Sequence, residues 1–136
     1  MRTRHSLQNP ARGFTLIEMT VVILVLLALV NIGFISSKKI EEWKLGRTAS
    51  ETLRSIYSAQ RMYLADNPTT AVSSLTPALI LPYMPGNVTV MPTVKSLNGA
   101  NLAILVNVSP PVINAGSGTT YDPSGSNKDS LWDVGE

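Results

Sequence analysis

From Phe14 to Ile35 the chain runs through 22 residues carrying one charged side chain, Glu18. As a helix rising about 1.5 Å per residue this stretch is roughly 33 Å long, against a bilayer hydrocarbon core of about 30 Å. The run is therefore long enough to cross a membrane. Glu18 sits near the start of the run, where a carboxylate in lipid is costly unless it finds a partner. Ahead of the run, Met1 to Gly13 is polar, contains Asn9-Pro10 and shows no helical periodicity, so it reads as an extended leader. The leader holds Arg2, Arg4 and Arg12 and no acid, which by the positive-inside rule keeps the amino terminus cytoplasmic and the body of the chain outside. Lys38 and Lys39 on the far flank oppose that orientation mildly and are offset by Glu41 and Glu42.

Two ordinary readings of the run explain less than all of it. A secretory signal has a shorter apolar core that ends in small residues at its cut, and Ala28-Leu29-Val30 is a poor site of that kind. A plain single-pass anchor gives no reason for Glu18. The segment Arg12-Gly13-Phe14-Thr15-Leu16-Ile17-Glu18 joins a basic leader, a glycine that leaves the backbone accessible, and an apolar helix opening on an aromatic residue. It resembles the processing signature of type IV prepilins and type II secretion pseudopilins. The resemblance implies a prepilin peptidase that cuts between Gly13 and Phe14 and methylates the new amine of Phe14. It also implies that Glu18, the fifth residue of the mature chain, serves filament assembly by facing the Phe14 amine of a neighbouring subunit. The implied partners are the peptidase, other pilin or pseudopilin subunits and an inner-membrane assembly platform.

Past the membrane the helix is expected to continue, because Ser36 to Asp66 holds no proline and only one glycine, Gly46. Ile40, Trp43, Ala49, Leu53, Ile56, Tyr63 and Leu64 recur at helical spacing, while most charged residues occupy other faces. Asn67-Pro68 ends the helix. A helix from Phe14 to Asn67 would be about 80 Å long, a membrane-anchored rod with a small cap. Within it Gly33 is either a weak point that lets the helix bend or a small residue for close helix packing. The domain plan is thus 1–13 leader, 14–35 transmembrane and assembly helix, 36–67 amphipathic continuation, and 68–136 a small head.

The head is rich in Thr, Ser, Pro, Gly and Asn. A short helix is expected near Ser74 or Thr76, with Pro77 in its first turn, followed by a turn over Leu81 to Gly86. Val88 to Met91, a stretch around Val94, and Leu102 to Val108 are strand candidates, with Asn98-Gly99 turning between the last two. Leu102, Ile104, Val106 and Val108 should face the helix. The fold class is therefore α+β: a long amino-terminal helix packed on a three- or four-stranded antiparallel sheet ended by Pro110-Pro111. Tyr121 to Gly125 reads as a turn, and Trp132 as the aromatic that pins the tail to the body.

Charge and composition narrow the function. The net charge of +2 becomes −1 once the three leader arginines are removed, and from Pro68 onward two lysines face four acids, about −2. A head without clustered cations does not bind nucleic acid through phosphates. There is no cysteine, and the only histidine, His5, lies in the leader. Disulfides, thiolate or histidine metal sites and Ser/His/Asp or Cys/His catalysis are excluded from the mature chain, and an enzyme is not expected. Many type IV pilins close a carboxy-terminal loop with a disulfide; this chain departs from that pattern. Major pseudopilins hold calcium in that loop, which makes Asp122, Asp129 and Asp133 candidates, although their spacing matches no loop motif and an exposed acidic tail explains them as well. No other cofactor is expected. The resulting expectation is a structural subunit of a type IV pilus-like or type II pseudopilus filament, first held in the bacterial inner membrane. The alternatives are a DNA-uptake or ligand-binding minor pilin, and an unprocessed membrane-anchored domain.

Overall fold

The structure, a computed structural model, describes residues 13–116 and 118–135. The expected leader, Gly13 apart, lies outside the described residues. The chain divides into two compact units, one ending at Lys38 and the other beginning at Lys39. Helix α1, Leu16–Asp66, contributes to both.

In the first unit α1 is unbroken, and every side chain described from Gly13 to Phe34 is exposed. Polar side chains here bond back onto the helix: Asn31 Nδ2 donates to Leu27 O at 2.7 Å and Ser37 Oγ to Gly33 O at 3.0 Å. Such local bonds satisfy polar groups that have no water to turn to in an apolar setting. An 18-residue window of this helix has a mean hydropathy of 2.6 and none of it is buried, so it has the length and composition of a membrane span. Helix α1 continues through Gly33, and a Cβ there would meet nothing within 4 Å.

In the second unit one face of α1 carries the core. Ala49, Leu53, Ile56 and Ala59 are buried, with Tyr63 and Leu64 packed beside them. They meet Leu75, Ile80, Met84, Val94, Ile104, Val106, Ile113 and Trp132 in a single cluster. Burying each Leu or Ile is worth about 1.5–3 kcal/mol, so this face binds the head to the helix. Gln60 is also buried, and its Nε2 donates to Val106 O at 2.9 Å and Val108 O at 2.8 Å, tying the helix to the strand segment opposite. The expected stripe fails at its start: Ile40 and Trp43 are each 54% exposed. The tail that covers the helix reaches it at Gly46, where Trp132 N donates to Gly46 O at 3.2 Å. Helix α1 ends one residue before the expected Asn67, whose N and Nδ2 both donate to Tyr63 O.

The head begins with a 3-10 turn at Val72–Ser74, then α2, Pro77–Ile80, with Thr76 ahead of it and Pro77 in its first turn as expected. Another 3-10 turn, Leu81–Tyr83, leads to Gly86 at φ 86°. Tyr83 stacks edge-on against Tyr63, 5.6 Å between ring centres. Its hydroxyl donates to Asp66 Oδ2 at 3.0 Å, a bond to an acid that holds the phenol pKa above its ordinary value.

The class is α+β, with a long helix and short antiparallel strands, but the strands divide differently from the expectation. Strand β1, Val94–Lys95, pairs with β2, Asn101–Leu102, through the expected Asn98-Gly99 turn. Strand β3, Ile104–Leu105, pairs instead with β4, Val112–Ile113. Two two-stranded ladders therefore replace one sheet. Leu102 to Val108 is split at Ala103, because β2 pairs backward in sequence and β3 pairs forward. Pro110-Pro111 does not end the sheet: Pro111 is buried and β4 follows it directly. Val88 to Met91 forms no strand. Gly86 and Asn87 leave the preceding turn with positive φ, Pro92 interrupts the other side, and Val90 is 74% exposed. The alternation in 104–108 holds for Ile104 and Val106, which are buried, and fades at Val108, which is exposed.

Candidate functional site

The amino-terminal motif is built around a helix cap. Thr15 precedes α1, and its Oγ1 accepts from Glu18 N at 3.2 Å while Thr15 N reaches Glu18 Oε2 at 3.4 Å. This is the reciprocal capping box, in which a Thr and the Glu three residues on satisfy two of the helix's unpaired amides. A carboxylate in the first turn also favours the positive end of the helix dipole. Because the cap fixes the start of the helix at Leu16, the Gly13–Phe14 peptide lies outside it. Gly13 is open on all sides, with nothing within 4 Å of a Cβ built there, and Phe14 is 78% exposed. Glu18 is exposed on the helix surface. Thr15 was legible as the first residue of a Thr-x-x-Glu pattern ahead of an apolar run, yet reading the motif for cleavage alone passes over it.

The second constellation closes the carboxy-terminal tail. Arg54 on α1 donates from Nε to Val134 O at 2.7 Å and from Nη2 to Ser130 Oγ at 2.9 Å. Trp132 is buried between them in sequence, lies against Gly46, and meets Tyr121 edge-on at 5.3 Å between ring centres. Tyr121 OH in turn accepts from Leu97 N at 2.9 Å. Ser130 and Trp132 both adopt positive φ, 59° and 64°, a backbone course that the Arg54 and Gly46 contacts hold in place. These noncovalent contacts fasten a tail that has no disulfide.

The three tail aspartates have separate surroundings. Asp122 caps the Tyr121–Gly125 turn, its Oδ1 accepting from Ser124 N at 3.0 Å and Ser124 Oγ at 2.6 Å. Asp129 Oδ1 accepts from Leu131 N at 3.0 Å. Both oxygens of Asp133 are shut off from solvent without a hydrogen-bond partner among the described residues. Loss of solvation raises its pKa above the ordinary carboxylate value. The backbone N–H of Gly135 and the Arg54 charge pull it partly back, while Asp129 and Asp122 push it up. Among the described residues no three His, Cys, Asp or Glu side chains are grouped so that they could hold a metal ion.

Against known families, residues 8–30 match the prokaryotic N-terminal methylation motif. The chain carries this motif, which is typical of type IV prepilins and pseudopilins and belongs to structural proteins rather than enzymes. With the apolar helix that follows, it marks residues after Gly13 as a membrane anchor. Neither the curated proteins nor the solved structures give a match.

Proposed function

We propose that the chain is a filament subunit of the type IV pilus or type II secretion kind, made as a membrane-anchored precursor and cut between Gly13 and Phe14. The observation that carries this reading is the methylation motif over residues 8–30, lying on a helix whose described side chains are all exposed as far as Phe34. Lipid covers those side chains before assembly, and neighbouring subunits cover them afterwards. Exchanging one apolar environment for the other costs little, so small terms at the helix end decide the register. Glu18 supplies such a term: its carboxylate, released from the Thr15 amide, neutralises the Phe14 amine of an adjacent subunit, and the pair removes two charges that an apolar setting penalises. A free, methylated Phe14 amine exists only after cleavage, which ties assembly to processing. The capping box supports the same reading, since it leaves the scissile peptide outside the helix and open to a peptidase. The partners are a prepilin peptidase, further subunits and an inner-membrane platform, with the head on the outer side of the membrane.

The test is the intact mass and amino-terminal sequence of the protein made with and without a prepilin peptidase. A chain that begins at Phe14 and carries one added methyl group supports the reading. An uncut chain in both samples overturns it and leaves a membrane-anchored domain.

A further inference from the structure

Ile40 and Trp43 are the members of the apolar stripe on α1 that the head leaves uncovered, each 54% exposed. Three residues apart, they share one side of the helix, and Lys39 lies one turn before Trp43. The apolar surface does not stop at the helix. A groove of about 220 Å³ beside Trp43 continues it onto the head, where Leu97, Leu131 and Trp132 line it. Leu97 is itself exposed, although it belongs to a turn that could have carried a polar residue. Exposed apolar side chains scattered singly need no partner, but grouped ones mark a contact.

Position in the chain indicates what covers this group. The span that ends its described exposed run at Phe34 is the membrane anchor, and only five residues separate Phe34 from Ile40 on the same helix. The helical path from Phe34 is about 9 Å to Ile40 and about 13 Å to Trp43. The headgroup layer of a bilayer is roughly 5–8 Å deep on each side of the hydrocarbon. Helical side chains lean back toward the amino terminus, which brings a long Trp side chain closer to that layer. Among the described residues nothing accepts from the Trp43 indole N–H and no acid pairs with Lys39. The headgroup layer suits both, offering apolar surface to the ring and the lysine stem, and water and phosphate to the N–H and the ammonium.

We propose that the face of the head bearing Lys39, Ile40, Trp43 and Leu97 docks on the phospholipid surface that holds the anchor, with the Trp43 ring in the headgroup layer and Lys39 on a lipid phosphate. Glu42 also borders the groove and offsets Lys39, so apolar contact drives the docking and a zwitterionic surface suffices. The inference rests on membrane anchoring and is independent of the filament reading.

The experiment uses the full chain reconstituted in phosphatidylcholine vesicles, with flotation to establish that it is anchored. Of the two tryptophans Trp132 is buried, so the difference between the parent and Trp43→Phe reports Trp43. Acrylamide is expected to quench Trp43 about threefold less than a free indole, while lipid spin-labelled near its headgroup quenches it strongly. Because the chain has no cysteine, a nitroxide on Leu97→Cys reports the head separately, with Thr89→Cys, which does not border the groove, as the reference. The label at 97 should be more accessible to oxygen than to a water-soluble nickel chelate, and the label at 89 the reverse. Trp43 quenched by acrylamide as readily as free indole, or a label at 97 that behaves like the one at 89, would overturn the docking in a chain that floats. Failure to float would remove the anchoring beneath it. Shielding of Trp43 that grows with protein density at constant lipid would also overturn the proposal, since a second copy would then be the cover.

Discussion

A methyl group at position 46 would stand 2.7 Å from the indole nitrogen of Trp132, inside any ordinary contact distance. The ring cannot simply swing aside, because it is buried and held edge-on by Tyr121. Gly46→Ala is therefore expected to destabilise the head by about 1–3 kcal/mol, the usual cost of overpacking. Thermal unfolding followed by Trp132 emission checks it, since a displaced indole is better hydrated and emits to the red. Asp133 makes a prediction of opposite sign. Its pKa in the folded chain is raised, so the native state holds this proton more tightly than the unfolded state. The favourable contribution is complete below the unfolded carboxylate pKa and is lost as pH rises through the native one. Asp133→Asn, which cannot ionise, should match the parent at acid pH and exceed it in melting temperature at neutral pH; a parent that is the more stable of the two at pH 7 would contradict the unpartnered carboxylate. At this scale the sequence announced Trp132, a lone large apolar residue in a polar tail. It did not announce Gly46 or Arg54 as its seat, because their partners are distant in sequence and periodicity reports only local neighbours.

Among the elements, α1 was the most legible: Asn67-Pro68 marked its stop, while its start falls at Leu16 rather than the expected Phe14, because the Thr15–Glu18 cap sets it. Its buried stripe was legible only where the chain supplies a cover: Ala49, Leu53 and Ile56 follow the pattern, whereas Ile40 and Trp43 share the spacing without a partner. Amphipathic spacing identifies a face that can be buried, and only tertiary structure decides how far burial extends. The strands were less legible. Each is two residues long, too short for alternation to register, and the break at Ala103 follows from pairing directions that no local propensity encodes. Gln60 joins the helix to this region. Gln60→Leu keeps the volume but removes the donor to Val106 O and Val108 O, leaving the buried carbonyl of Val106 unsatisfied. A loss of about 1–3 kcal/mol is expected. Native-state hydrogen exchange should show the β3 and β4 amides opening faster, while amides of the α1 segment before Lys38 stay unchanged.

For the molecule as a whole, the decisive fact is where burial occurs. Among the described residues every buried one lies in the unit that begins at Lys39, and none of the described side chains before it is covered by the chain itself. In the proposed filament the first unit's helix is covered first by lipid and then by other subunits. The second unit contains the complete core cluster, both strand ladders and the Arg54 and Trp132 fastening of the tail. It should consequently fold without the anchor. A fragment starting at Lys39 is expected to be soluble and to unfold in one cooperative transition within a few degrees of the head in the full-length chain. Near-UV circular dichroism provides the sharpest comparison, because the Tyr63–Tyr83 and Tyr121–Trp132 pairs are both internal to this unit and give fixed aromatic environments. A fragment with helical far-UV signal but no near-UV signal would mean that the head's packing depends on the first unit. The expected result would make the two halves of α1 separable in the proposed function as well: in that reading one is covered by lipid or by a neighbour, and the other carries a head whose fold does not depend on which.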